Sequence, residues 1–249
     1  MLEINHLSKR FGKLEAVNDV HLDVKDGEIF GFLGPNGAGK TTTIKCIAGL
    51  QHPSAGFIRI NGHDVHHDPL QAKAALSYIP DEPYLYEKLS GREYLELVGQ
   101  LHLMQHEDIQ TRIDELLKLF GIEEYQAELT EGYSHGTRQK FVFTAALLPR
   151  PELLLVDEPL VGLDPQNAHL VKELLRLIAR DHHVTIFMST HTLSLAQEIC
   201  DRIGIIHRGR LVALGTLADL QQQASTVNQN LETMYLKLTG ESAHVQLSW

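Results

Sequence analysis

Apolar residues alternate with polar ones at Val20, Leu22 and Val24, which predicts a strand with one buried face. Asp26-Gly27 then has the chemistry of a hairpin turn, and Ile29–Leu33 reads as the next, fully buried strand. A glycine-rich loop opens into Thr41–Leu50, where Ile44, Ile47 and Ala48 recur at helical spacing and Gly49 marks the stop. Another strand is expected over Phe57–Ile60, ended by Asn61-Gly62.

Between residues 86 and 150 the spacing changes to three and four. Ile109, Ile113, Leu116, Leu117 and Phe120 draw one stripe along a helix that Gly121 closes. Buried strands return at Leu153–Val156, Val184–Met188 and Ile203–His207, with a helix between the first two whose core face is Leu170, Val171, Leu174, Leu175 and Ile178. Strands alternating with helices imply a largely parallel sheet. The expected fold class is therefore α/β, a core of residues 1–85 and 151–220 with an antiparallel β subdomain at its N-terminal end. A helical subdomain, 86–150, is inserted into it, and 221–249 form a polar linker followed by an accessory helix holding Leu231, Met234, Tyr235 and Leu238.

A chain of 249 residues suits one domain with one insert. Its 22 basic against 32 acidic side chains, net charge −10, argue against a nucleic-acid partner, because a phosphate backbone is held by clustered Lys and Arg. No run approaches the roughly 18 apolar residues that cross a bilayer. Any membrane role thus calls for another chain. Met1-Leu2-Glu3-Ile4-Asn5 has neither a basic cluster nor an apolar signal core, so a cytoplasmic address is expected. Cys46 and Cys200 stand far apart and read as small buried hydrophobes, and His63, His66 and His67 fall in a turn-rich stretch poorly suited to holding a metal.

The chemistry begins at Gly34-Pro35-Asn36-Gly37-Ala38-Gly39-Lys40-Thr41, a P-loop pattern placed directly after a predicted strand and before a predicted helix. Glycines let successive backbone N–H groups turn toward one anion, the helix N-terminus adds its dipole, Lys40 meets the β- and γ-phosphates, and Thr41 can ligate Mg²⁺. Thr42 completes the candidate ATP contacts. A metal-holding carboxylate is supplied at the end of Leu153–Val156 by Asp157, and Glu158 is placed to orient or deprotonate a water. The pair matches a Walker B strand.

With these motifs in this order the chain resembles ABC-type ATPases with a P-loop, RecA-like core. Tyr133-Ser134-His135-Gly136-Thr137-Arg138-Gln139 resembles the family's signature sequence, Gly162-Leu163-Asp164-Pro165 its D-loop, and Ser189-Thr190-His191 its switch histidine. The resemblance implies two ATP and Mg²⁺ sandwiched between two such domains, as a homo- or heterodimer. Ser134, His135, Gly136 and Thr137 would then face the γ-phosphate bound by the opposite protomer. It also implies that Phe11 stacks on adenine, that His191 senses the γ-phosphate, and that Asp164 belongs to the segment following Walker B.

Three positions depart from the family pattern. Asp81 stands where a glutamine usually reaches Mg²⁺, adding charge and losing a methylene of reach, so it would act through water or face the partner. His135 replaces a glycine and Thr137 a glutamine of the signature, neither disabling by itself. Tyr84-Leu85-Tyr86, Leu89, Gly91 and Glu93 resemble the segment that, in exporters with a separate permease chain, receives the permease's coupling helices. The same side chains would alternatively seal the insert against the core. The implied function is the ATP-binding, ATP-hydrolysing subunit of an ABC transporter on the cytoplasmic face of the membrane, exporter-like, with a transmembrane permease as partner. The alternative is a soluble ATPase of an assembly scaffold, such as iron–sulfur cluster assembly.

Overall fold

A computed structural model describes residues 1–160, 163–224 and 231–240, without the side chain of Leu231. Along the chain come β1 (Leu2–Phe11), β2 (Leu14–Val24), β3 (Ile29–Leu33), α1 (Lys40–Ile47), β4 (Ala55–Ile60), β5 (His63–Asp64), α2 (Pro69–Ala74) and β6 (Leu76–Ile79). Helices α3 (Gly91–Leu101), α4 (His106–Phe120) and α5 (His135–Leu147) follow. The order then runs β7 (Leu153–Asp157), α6 (Pro165–His182), β8 (Thr185–Thr190), α7 (Leu193–Ile199), β9 (Arg202–His207), β10 (Arg210–Gly215), α8 (Leu217–Gln223) and α9 (Leu231–Thr239).

Two sheets result. The antiparallel one has the order β2-β1-β4-β5, and the central one β10-β9-β3-β8-β7-β6, parallel throughout except for β10 at its edge. Every residue of β3, β7 and β8 is buried, as parallel strands covered on both faces require. On one face Phe32, Leu155 and Phe187 meet Ile44 and Ile47 of α1 and Ile4, Leu22 and Ile58 of the antiparallel sheet. On the other, Val156 and Ile186 pack with Phe141 of α5 and Leu175 of α6.

Asp26-Gly27 is not a hairpin turn. β2 pairs with β1 in the antiparallel sheet while β3 lies between β8 and β9, so the turn hands the chain from one sheet to the other. The helical stripe is as expected: Ile109, Ile113, Leu116, Leu117 and Phe120 are buried, and Gly121 caps α4 in the left-handed region at φ 59°. In α6 Val171, Leu174, Leu175 and Ile178 are buried and Leu170 is half-buried. Residues 221–223, read as the start of a linker, belong instead to α8, which a capping box between Thr216 and Asp219 starts. The stretches 225–230 and 241–249 lie outside the described residues. Met234 of α9 is fully buried in a cluster with Ala196 and Leu220.

Gly91 opens α3 at the tightest contact of the insert. A Cβ there would come within 2.3 Å of Tyr133 Oη and 2.5 Å of Phe141 Cε1, and Tyr133 Oη is fixed by donating to the Tyr125 carbonyl at 2.6 Å. Among the described residues no helix is long and apolar enough to cross a membrane.

Candidate active site

The P-loop leaves β3 and enters α1 over residues whose close approach excludes side chains. A Cβ on Gly34 would sit 2.4 Å from the Ile206 carbonyl oxygen, and one on Gly39, at φ 110°, 2.5 Å from that of Ala16. Lys40 is buried at the mouth of this loop, its Nζ donating to the Gly34 and Pro35 carbonyls at 2.8 and 3.3 Å. The same Nζ lies 3.3 Å from Glu158 Oε1.

Strands β7 and β8 supply the acidic side. Asp157 and Ser189 are register partners on these parallel neighbours, and the Ser189 hydroxyl donates to Asp157 Oδ1. The second oxygen, Oδ2, is buried with no hydrogen-bond partner among the described residues. Burial raises the Asp157 pKa above the ordinary carboxylate value, while the Ser189 and Thr41 hydroxyls pull it down and the charges of Asp81 and Glu158 push it up. Glu158 takes φ 51°, a left-handed backbone that its N–H secures by donating to the Ser189 carbonyl at 3.0 Å. Half-exposed His191 closes the set, with Nδ1 2.9 Å from Glu158 Oε1 and its backbone N–H 3.3 Å from Oε2.

Ser134 caps α5, its Oγ accepting from the Thr137 backbone N–H at 3.2 Å and lying 2.9 Å from Thr137 Oγ1. His135 is the first residue of the helix in ordinary helical backbone, so the Cβ in place of glycine meets no conformational penalty. A Cβ on Gly136 would find only Asn167 Nδ2, at 3.5 Å. Asn167 in turn donates to Asp164, the N-cap of α6, from both backbone and side chain. Asn167 thus links the signature and D-loop positions within one protomer. Gly162 is outside the described residues.

Residues 17–161, more than half of the chain, match the ABC transporter family. The chain belongs to the ABC transporter family. It is 35% identical over 243 residues to the ABC-type transporter ATP-binding protein EcsA of Bacillus subtilis, covering 98% of both chains. It is 36% identical over 220 residues to the linearmycin resistance ATP-binding protein LnrL of the same organism, covering 88% of this chain and 70% of LnrL. A solved ATP-binding subunit of an ABC transporter superposes with a TM-score of 0.90 at 35% identity, over 96% of this chain and 99% of that one. The protein is an ABC transporter ATP-binding subunit and an ATP hydrolase, and the relatives favour this over the assembly-scaffold alternative. A dimeric ATP-binding cassette bound to ADP and Pi, 23% identical over 87% of this chain and 99% of that one, shares the fold at a TM-score of 0.80.

The residues of this ABC subunit fit its nucleotide and metal. Gly34 and Gly39 leave no room for side chains, and the buried Asp157 Oδ2 without a hydrogen-bond partner, on a carboxylate that the Thr41 hydroxyl also influences, offers the hard oxygen donors that Mg²⁺ takes. Asp81 lies two residues beyond β6, exposed, with Oδ1 accepting from the Glu82 backbone at 3.0 Å. Phe11 ends β1, 45% exposed, with Lys9 Nζ 4.9 Å from its ring centre. Leu85 is buried while Tyr84 and Tyr86 are exposed and meet edge to face, so the segment divides between sealing the insert and presenting aromatics. Glu93 is accounted for locally by a capping box with Ser90. Two neighbours of the site were given no role by the sequence. Ser189 is legible only through strand register, and Tyr235 of α9 joins Pro35, Asn36, His191 and Leu193 around a cavity of about 320 Å³.

Proposed function

We propose that this ABC subunit turns over ATP at the ends of β3, β7 and β8, with the residues named from the sequence in distinct roles. The observation that carries the proposal is the junction at Glu158 Oε1, where Lys40 Nζ at 3.3 Å and His191 Nδ1 at 2.9 Å converge from three separate stretches of chain. The backbone N–H groups of Gly34, Pro35, Asn36, Gly37, Ala38 and Gly39, with Lys40, Thr41 and Thr42, bind the phosphates, and Phe11 stacks on the base. Thr41 and Asp157 hold Mg²⁺, with Asp81 reaching it through water. Bound there, the ion neutralises phosphate charge that builds up as the terminal bond breaks. Glu158 orients the attacking water and accepts its proton at a carboxylate oxygen, while His191 holds that carboxylate in place and faces the γ-phosphate.

Ser134, His135, Gly136 and Thr137 lie at the N-terminal end of a thirteen-residue helix, where anions are favoured, and serve the nucleotide of a second ATPase domain. Asp164 fixes the segment between the two sites. Residues 1–85 and 151–220 act as the nucleotide-binding core, 86–150 as the signature subdomain and 221–249 as an accessory. Exposed Tyr84 and Tyr86 receive a separate transmembrane permease, which holds the subunit at the cytoplasmic face. The linearmycin resistance for which LnrL is named supports export as the direction of transport.

The test is paired. Glu158→Gln should lower turnover by roughly 10²–10⁴-fold with ATP binding retained. Lys40→Ala should weaken ATP binding itself, by roughly 1.5–3 kcal/mol for a charge-assisted contact. Equilibrium binding of a fluorescent ATP analogue separates the two, and loss of binding in Glu158→Gln or unchanged binding in Lys40→Ala would overturn the assignment.

A further inference from the structure

Ser189 lies at the centre of the site, yet no part of the ATP, metal or water chemistry above requires it. It sits on β8, the strand between β3 and β7, with Phe32 as its register partner on one side and Asp157 on the other. Parallel neighbours in register point their side chains to the same face. The Ser189 side chain is wholly buried and its hydroxyl donates to Asp157 Oδ1, leaving Oδ2 as the buried oxygen without a partner. The Ser189 carbonyl also accepts the backbone N–H of Glu158, the residue held at φ 51°. One residue thus anchors both acidic positions, the side chain of the first and the backbone of the second.

We propose that Ser189 is a positioning residue for the metal-holding carboxylate, turning Asp157 so that a single oxygen faces Mg²⁺. The inference rests on the assignment of Asp157 to the metal. A hydroxyl donating to one oxygen of a two-oxygen carboxylate removes the freedom to rotate or to bind through both atoms. Partners that hydrogen-bond a ligating group from behind are worth 10–100-fold in metal affinity when lost. The backbone bond to Glu158 survives any substitution at Ser189, so the side-chain role can be isolated.

The experiment titrates Mg²⁺ against nucleotide binding in the whole chain, with a fluorescent ATP analogue as probe, and repeats the binding in EDTA. Ser189→Ala should raise the Mg²⁺ midpoint by about tenfold or more and leave the EDTA affinity unchanged. Ser189→Thr keeps the hydroxyl on a side chain suited to a strand and should restore the midpoint. Ser189→Cys, a weaker donor of similar size, should fall between them and decides the matter should the alanine variant fail to fold. An unchanged midpoint in Ser189→Ala, or in Ser189→Cys where only that variant folds, overturns the proposal. So does a Ser189→Ala loss that is equally large in EDTA. Asp157→Asn serves as the control: an unchanged Mg²⁺ midpoint there overturns the metal assignment itself, a result distinct from failure at Ser189.

Discussion

A carboxylic acid sealed at a strand end holds its proton more tightly than one in water, and burial does this to Asp157. A folded-state pKa above the unfolded value means that the contribution of this group to stability is greatest below the unfolded pKa and is lost as pH rises through the folded one. At neutral pH, without nucleotide, the charged form is a cost to the fold. Asp157→Asn should therefore raise the melting temperature of the nucleotide-free protein at pH 7. The advantage should shrink as pH falls through the carboxylate range, and scanning calorimetry across that range checks both signs. Function is what retains the acid. At this scale the phosphate loop and the Asp157-Glu158 pair were legible because each is contiguous, its chemistry spelled by neighbours in sequence. The role of Ser189 beside Asp157 was not, because the two become partners only through strand pairing 32 residues apart.

Among the elements, periodicity carried the helices of the insert and the buried strands of the core, since both signals follow from which face meets the interior. It failed at Asp26-Gly27, where local turn chemistry is the same whether the next strand pairs with the last or joins another sheet. It failed again at α8, whose polar residues 221–223 are helical because a capping box starts the helix and buried Leu220 holds it. The start of α3 offers a test in which propensity and packing oppose each other. Alanine favours helix over glycine by about 1 kcal/mol, yet a Cβ at Gly91 runs into a Tyr133 hydroxyl fixed by hydrogen bonds and into the Phe141 ring. Packing wins: Gly91→Ala should destabilise the protein by about 1–3 kcal/mol in urea unfolding. A gain in stability would show that the insert yields at this joint.

Taken as a whole molecule, the subunit keeps its signature serine on a different helix from the loop that cradles phosphate, exposed at the N-terminus of α5. A bulky cation there should block the second domain without touching the first site. Ser134→Arg is expected to bind ATP as the parent does and to elute as a monomer from gel filtration with ATP and Mg²⁺ in the Glu158→Gln background. ATP-driven dimers in that variant would remove the shared-site arrangement. The monomeric double variant also exposes a consequence of the Lys40–Glu158 ion pair, in which Lys40 is buried and Glu158 partly so. If Lys40 meets phosphate as proposed, an incoming nucleotide competes with the Glu158 carboxylate for the same ammonium. On that reading affinity for ATP is an exchange constant rather than a simple association. Neutralising the competitor should tighten nucleotide binding several-fold, so that Ser134→Arg/Glu158→Gln binds more strongly than Ser134→Arg alone. On the proposed roles, one glutamate both turns over ATP and sets how much ATP must be present before the subunit engages.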